Sequence, residues 1–243
     1  MNRPFENVYA DEERARSYAE LEYPGTYYLA FRDLPALIGR HVVGGDALDF
    51  GCGTGRSSRF LTDLGFTVVG VDIAERMLAH ARVRDPGGDY RLVPDGDLSG
   101  LEGHGFGLVF SAFTFDNVPT YEKRLALFEG LGRALAPDGC IVNLVSAPEI
   151  YVNEWASFST RDFPENRTAT SGGGVRIVML DVEDSRPVED VLWTDADYRE
   201  LYAAADLQVQ EVHSPLGDAS DPCSWVTETR VSPWAIYVLG RRR

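Results

Sequence analysis

Apolar residues along this chain fall into short unbroken runs and into helical stripes, and the two alternate. "GGDALDF" (44–50) leads into a short buried strand. "RSSRFLTDLG" (56–65) places Phe60, Leu61 and Leu64 on one helical face and stops at glycine. "FTVVGVD" (66–72) is continuous and β-branched, the pattern of a strand covered on both faces. "AERMLAHARV" (74–83) is helical, with Met77, Leu78 and Ala81 inward. "YRLVP" (90–94) and "FGLVFSAF" (106–113) follow as strands, and "TYEKRLALFEGLGRAL" (120–135) is an amphipathic helix with Leu125, Phe128, Leu131 and Leu135 on its stripe. After the turn "APDG" (136–139) comes a fifth strand, "CIVNLVS" (140–146). Strands and helices at this spacing predict βαβ units around a parallel sheet.

Both ends depart from that rhythm. "DEERARSYAEL" (11–21) reads as an exposed helix, and "YYLAFRDLPALIGR" (27–40) as a more buried one that Pro35 divides or opens. From 147 to about 192 there are aromatics, a flexible "TATSGGG" (168–174) and two strand-like runs, "VRIVMLDV" (175–182) and "VEDVLW" (188–193), expected to pair outside the main sheet. "TDADYRELYAAADL" (194–207) is helical behind an N-cap threonine, and "QVQEVHS" and "PWAIYVLG" close the chain as strands.

Composition narrows the chemistry. Among 243 residues, 38 acids outweigh 23 bases for a net charge of −15, a field that repels nucleic acid phosphates and anionic membranes. Three cysteines without a Cys-x-x-Cys pair, and four scattered histidines, outline neither a disulfide framework nor a metal site. No apolar run approaches the roughly 20 residues that span a bilayer. The expectation is a soluble cytoplasmic protein, monomer or homodimer, with no nucleic acid or membrane partner.

The densest signal is "LDFGCGTGRSS" (48–58), with three glycines in five positions between a strand and a helix. In a doubly wound sheet, ligands bind beyond the carboxyl ends of the strands where their order reverses, and glycines let backbone N–H groups approach them. A dinucleotide loop would read Gly-x-Gly-x-x-Gly. Here Arg56 fills the third glycine's slot, and Asp49 would repel a pyrophosphate. A ligand with a sulfonium and an α-amine tolerates Asp49.

At these residues the sequence resembles class I S-adenosylmethionine-dependent methyltransferases. "ALDFGCGTG" (47–55) is similar to their first motif, "VVGVDIAERML" (68–78) to the second, "VPDGDLSGL" (93–101) to the third and "FGLVFSAF" (106–113) to the fourth. The resemblance implies an α/β, doubly wound, seven-stranded, mostly parallel sheet whose last strand is antiparallel. It implies one domain: a helical cap (1–40), a cofactor-binding core (45–146), a β-rich lid after strand 5 (147–192), and a C-terminal helix with closing strands (193–243).

The resemblance also implies site roles. Gly51, Gly53 and Gly55, with Asp49 before them, line the methionine and ribose portion; Asp72 takes the ribose hydroxyls; Ile73 packs on adenine; Asp97 accepts from its amino group beside Leu98; Ser111 faces the methionine amine; Arg32, assisted by Tyr18, holds the carboxylate. On the acceptor side, Asp116 orients or deprotonates substrate or else caps the next helix, and Asn117 lies beside it. Tyr151 and Trp155 wall an apolar pocket or pack in the core, and His213 is a base or a structural histidine. No metal is implied. The expected reaction is methylation of a small, partly apolar acceptor at O or N. A nicotinamide-dependent oxidoreductase and a non-catalytic S-adenosylmethionine-binding protein are the alternatives.

Overall fold

The structure, a computed structural model, describes residues 21–42 and 44–242, with Asp11, Glu13, Arg14 and Arg16 ahead of them. Most of the expected first helix, and Tyr18, lie outside the described residues. The second expected helix divides at Asp33 into α1 (Gly25–Arg32) and α2 (Leu34–Gly39), with Pro35 in the first turn of α2, where a missing N–H costs nothing.

The alternation then runs β1 (Gly45–Phe50), α3 (Arg56–Asp63), β2 (Phe66–Asp72), α4 (Glu75–Arg84), β3 (Asp89–Leu92), β4 (Phe106–Ala112), α5 (Tyr121–Ala134) and β5 (Leu135–Ser146). β5 starts earlier than its apolar run. "APDG" stays in the strand through an irregular register against β4, and a Cβ at Gly139 would lie 2.7 Å from the Phe106 carbonyl. Between residues 147 and 192 lie β6 (Phe158–Ser159), β7 (Gly174–Met179) and β8 (Val188–Val191), an antiparallel sheet in the order β6-β7-β8. α6 (Asp195–Ala204), β9 (Leu207–His213) and β10 (Trp234–Arg241) complete the chain. Thr194 caps α6 in a reciprocal capping box with Asp197.

The main sheet has seven strands in the order β3-β2-β1-β4-β5-β10-β9. β10 runs antiparallel to both its neighbours, and the remaining pairings are parallel. The chain leaves β1 toward β2 on one side and returns to β4 on the other. That reversal opens a crevice beyond the carboxyl ends of β1 and β4.

Both faces of the sheet are covered, which is why its central strands read as unbroken apolar runs. Leu108 and Phe110 of β4 point with Val142, Leu144, Ile236 and Val238 toward α1, α2 and the small sheet. Val109 points the other way, with Ile141, Val145 and Leu239, toward α5 and α6. The buried stripe of α5 is Arg124, Leu127, Phe128, Leu131 and Ala134. Leu125, expected there, is half-buried, and a fully buried arginine stands one position before it.

α1 lies under the small sheet. The Tyr27 hydroxyl donates to Met179 Sδ at 3.3 Å, and its ring centroid is 5.1 Å from that of Phe158. Thr26 and Ser157 exchange hydrogen bonds, Thr26 N–H to Ser157 Oγ at 2.9 Å and Ser157 N–H to Thr26 Oγ1 at 3.0 Å.

Candidate active site

The glycine loop between β1 and α3 answers two demands of the protein itself. Gly51, Gly53 and Gly55 have φ of 73°, 54° and 78°, the left-handed region that side chains with a Cβ avoid. A Cβ would also collide with Thr114 at Gly51 and with the Tyr90 hydroxyl at Gly55. Four amides are engaged within the protein: Gly51 and Cys52 N–H donate to the Val71 carbonyl, Gly55 N–H to Cys52 O, and Gly53 N–H to Asp72 Oδ2. The expected contribution of these amides to a ligand is therefore corrected. The loop offers a bare backbone surface shaped by β2, not four open donors.

Asp72 ends β2 half-buried, fixed by N–H groups of Gly53 and Ala74, each at 2.8 Å. Burial raises its carboxyl while those amides pull it back down. Ile73 beside it is 37% exposed, an apolar surface left uncovered. Asp49 is fully buried and turned toward α3, where Oδ2 accepts from Ser57 (2.7 Å) and Ser58 (2.6 Å) and Oδ1 has no partner. Burial pushes its carboxyl up to about 6.

Arg56, the first residue of α3, has its guanidinium carbon 5.0 Å from the Tyr27 ring centroid and 5.5 Å from that of Phe31, and it donates to Glu22 O. The loop is thus flanked by two carboxylates, one with an orphaned oxygen. That surplus of negative charge fits a cationic sulfonium ligand such as S-adenosylmethionine and not a pyrophosphate.

Other expected cofactor residues divide. Ser111 is fully buried on β4 with an unpartnered hydroxyl. Leu98 is buried against α5, with its side chain against Gly130. Asp97 is exposed, and its carboxylate accepts the Ser99 N–H at 2.9 Å, the local turn reading of an Asp two residues before a Ser. Arg32 is corrected outright. Its guanidinium forks onto Asp33 and reaches Asp221 at 2.9 Å and the Leu216 carbonyl at 3.1 Å. His213 joins the same network, with Nε2 2.8 Å from Asp33 Oδ2, at the end of edge strand β9. Neither lines the cavity between the main sheet and β6-β7-β8.

A cavity opens where β4, β5 and β10 meet the small sheet. Its walls include the aromatic side chains of Tyr27, Phe113, Phe158 and Trp234, and two carboxylates, Asp116 and Asp190. Its free volume is about 50 Å³, so a ligand larger than a water or two must part the walls. Phe113 follows β4 with φ of 62°, a left-handed conformation held by a bulky residue. Thr114 ties this turn to the glycine loop by donating to the Phe50 carbonyl at 3.1 Å.

Asp116 is 5% exposed and accepts from Ser146 Oγ at 2.8 Å and Ser146 N at 3.2 Å. Burial first, then the Asp190 charge, holds its carboxyl well above the usual range. Asn117 lines the cavity, and its amide donates to Phe113 O at 3.4 Å. Tyr151 stands behind the wall, donating its hydroxyl to Asp190 Oδ2 at 3.0 Å. Trp155 is a core residue, fully buried with its indole N–H on Ile150 O.

The residue that sequence reading missed here is Asp190. Its one signal is period two, since it shares a strand face with Val188. Among the described residues, no group of three or more His, Cys, Asp or Glu is placed to hold a metal ion, and no helix is long and apolar enough to cross a membrane.

Residues 48–143 match the family described as "Methyltransferase domain". Over that segment, and in its strand order, the chain is similar to class I S-adenosylmethionine-dependent methyltransferases. It is similar to a dTDP-3-amino-3,6-dideoxy-α-D-glucopyranose N,N-dimethyltransferase of Streptomyces fradiae, 34% identical over 122 residues that cover 48% of this chain and 46% of that one. It is also similar to a bovine 18S rRNA (guanine-N(7))-methyltransferase, 44% identical over 69 residues, 28% of this chain and 21% of the other. The chain thus spans less than half the length of these curated relatives. Among solved structures, the CcbJ methyltransferase of Streptomyces caelestis shares the fold at a TM-score of 0.68, with 19% identity over 96% of this chain and 98% of that one.

Proposed function

We propose that this chain transfers a methyl group from S-adenosylmethionine to a small, partly apolar acceptor held in the cavity at the ends of β4, β5 and β10. The carrying observation is the link between the two sites, since Thr114, in the turn that walls the cavity, contacts Gly51 and bonds the end of β1. S-adenosylmethionine supplies an electrophilic methyl on a sulfonium, whose sulfur leaves neutral. The glycine loop, Asp72 and Ile73 hold the donor. Phe113, Tyr27 and Trp234 exclude water and confine the acceptor, so that much of the rate comes from proximity and alignment.

A net charge of −15 and a narrow cavity lined by aromatics support a small molecule over RNA. The Streptomyces fradiae relative, which by its name acts on an amino-sugar nucleotide, is in keeping with that choice. The test is calorimetric titration with S-adenosylhomocysteine and with nicotinamide dinucleotides, followed by detection of S-adenosylhomocysteine formed from S-adenosylmethionine with small acceptors. Tight nicotinamide binding without S-adenosylhomocysteine binding would overturn the reading. Binding without turnover on any acceptor would leave a cofactor-binding protein.

A further inference from the structure

The acceptor cavity has a charge balance that selects among small molecules. Asp116 enters from the turn after β4 and Asp190 from β8, and both line the cavity. Facing them from α5 is Arg124, fully buried, which donates Nε to Val118 O at 2.8 Å and Nη1 to the Tyr198 hydroxyl at 3.0 Å, while its buried Nη2 has no partner. From the segment after β5 comes the Tyr151 hydroxyl on Asp190, and from β5 itself the Ser146 hydroxyl and amide on Asp116. When ionised, two carboxylates and one guanidinium sum to one negative charge in a place water barely enters. Burying such a charge is costly until it is paired or takes up a proton.

Asp190 is 8% exposed, and its Oδ2 accepts from Tyr151. Its other oxygen accepts no hydrogen bond from the described residues. Four aromatic side chains line the same cavity, and an aromatic ring attracts a cation over its face. A carboxylate without a full set of donors, in an aromatic-lined cavity one charge short of neutral, is matched by a single ammonium group.

We propose that the acceptor is a primary or secondary aliphatic amine, bound as its ammonium by Asp190 and the aromatic walls, with Asp116 taking the N–H proton so that nitrogen is the atom methylated. This rests on the methyl-transfer reading. The atoms balance as follows. An N–H proton of the ammonium passes to an Asp116 carboxylate oxygen, freeing the nitrogen lone pair. That pair forms the N–C bond to the methyl while the C–S bonding pair stays on sulfur. The product leaves as a methylammonium, and Asp116 returns its proton to solvent.

The test titrates the full chain, with and without S-adenosylhomocysteine, with primary alkyl- and arylalkylamines, each matched to the alcohol of the same skeleton. Calorimetry in buffers of different ionisation enthalpy counts protons. Amines are expected to bind at least about tenfold more tightly than their alcohols and to release protons on binding near pH 7, because an ammonium displaces the proton the acid pair holds. Asp190→Asn is expected to erase the amine preference while leaving S-adenosylhomocysteine affinity in place, and Asp116→Asn to abolish proton release. Alcohols binding as well as amines in the wild-type chain, or an unchanged preference in a folded Asp190→Asn variant, would overturn the proposal. Failure of S-adenosylhomocysteine to bind would instead strike the methyl-transfer reading, and the amine comparison made without it would still decide the cavity's preference.

Discussion

Thr26 Oγ1 donates to Glu228 Oε1 at 2.7 Å across 202 positions of sequence, and both residues are fully buried. The same carboxylate receives the Ala156, Val226 and Thr227 N–H groups at 2.8, 2.8 and 3.0 Å. One side chain therefore ties the cap helix, the segment after β5 and the β9–β10 connection together. Glu228→Ala leaves these donors without their acceptor in a buried place. The expected loss is at least about 2 kcal/mol in chemical denaturation, with Glu228→Gln milder because one oxygen still accepts. Faster amide exchange at Thr26 and Ala156 in the alanine variant would locate the damage; an unchanged denaturation midpoint would refute it.

The loop glycines rank by what a methyl group meets. Gly51→Ala must displace Thr114 through three atoms within 2.8 Å, whereas Gly53→Ala meets only the flexible end of Met77 at 3.2 Å. Each also carries roughly 1–2 kcal/mol for a side chain in the left-handed region. Gly51→Ala is expected to be the more destabilising in urea unfolding, and the reverse order would show that backbone conformation alone governs the loop.

Asp72→Ala is expected to weaken S-adenosylhomocysteine binding by about 1–3 kcal/mol, the range for a charged hydrogen-bond partner. Because Asp72 also fixes Gly53 and Ala74, its loss loosens the loop as well. A dissociation constant equal to wild type in calorimetry would remove Asp72 from the site.

Asp49 gives the fold a pH slope of known sign. Its carboxyl is raised from 3.8 to about 6 by burial, so between those values the folded state binds more protons than the unfolded. Stability contributed by the protonated form is present below that window and is lost as pH rises through it, on the order of 1–3 kcal/mol in all. Asp49→Asn cannot ionise. Its stability relative to wild type is expected to rise from pH 4 to pH 7, read from denaturation midpoints at each pH, and a difference that stays flat would contradict the assignment.

The sheet and the glycine loop were legible because they are written locally. Unbroken apolar runs such as "FTVVGVD" mark strands covered on both sides, and glycines between strand and helix mark a left-handed turn. Thr194 was equally readable, since its partner Asp197 is three residues away. The partners of Arg32 and His213 could not be read because they lie elsewhere in sequence: Asp221 is 189 positions from Arg32, and Asp33, which makes His213 the hydrogen-bonded histidine of the two readings, is 180 from it. Glu228 and Arg124 were invisible for the same reason. A charged residue reads as solvent-facing until the chain brings its counterparts around it. Asp97 is a different case, for a neighbouring amide already occupies one oxygen of its carboxylate.

Phe113 keeps a large ring on a backbone conformation that glycine would occupy without strain. Its ring lies 4.8 Å from that of Trp234 and 5.7 Å from that of Tyr27, so it sets the gap between the cap helix and the last strand. Trimming the ring to alanine loses packing and leaves the backbone strained, because only glycine removes the Cβ that the left-handed conformation disfavours. Under the proposed methyl transfer, the ring at position 113 would govern how bulky a molecule the wall admits.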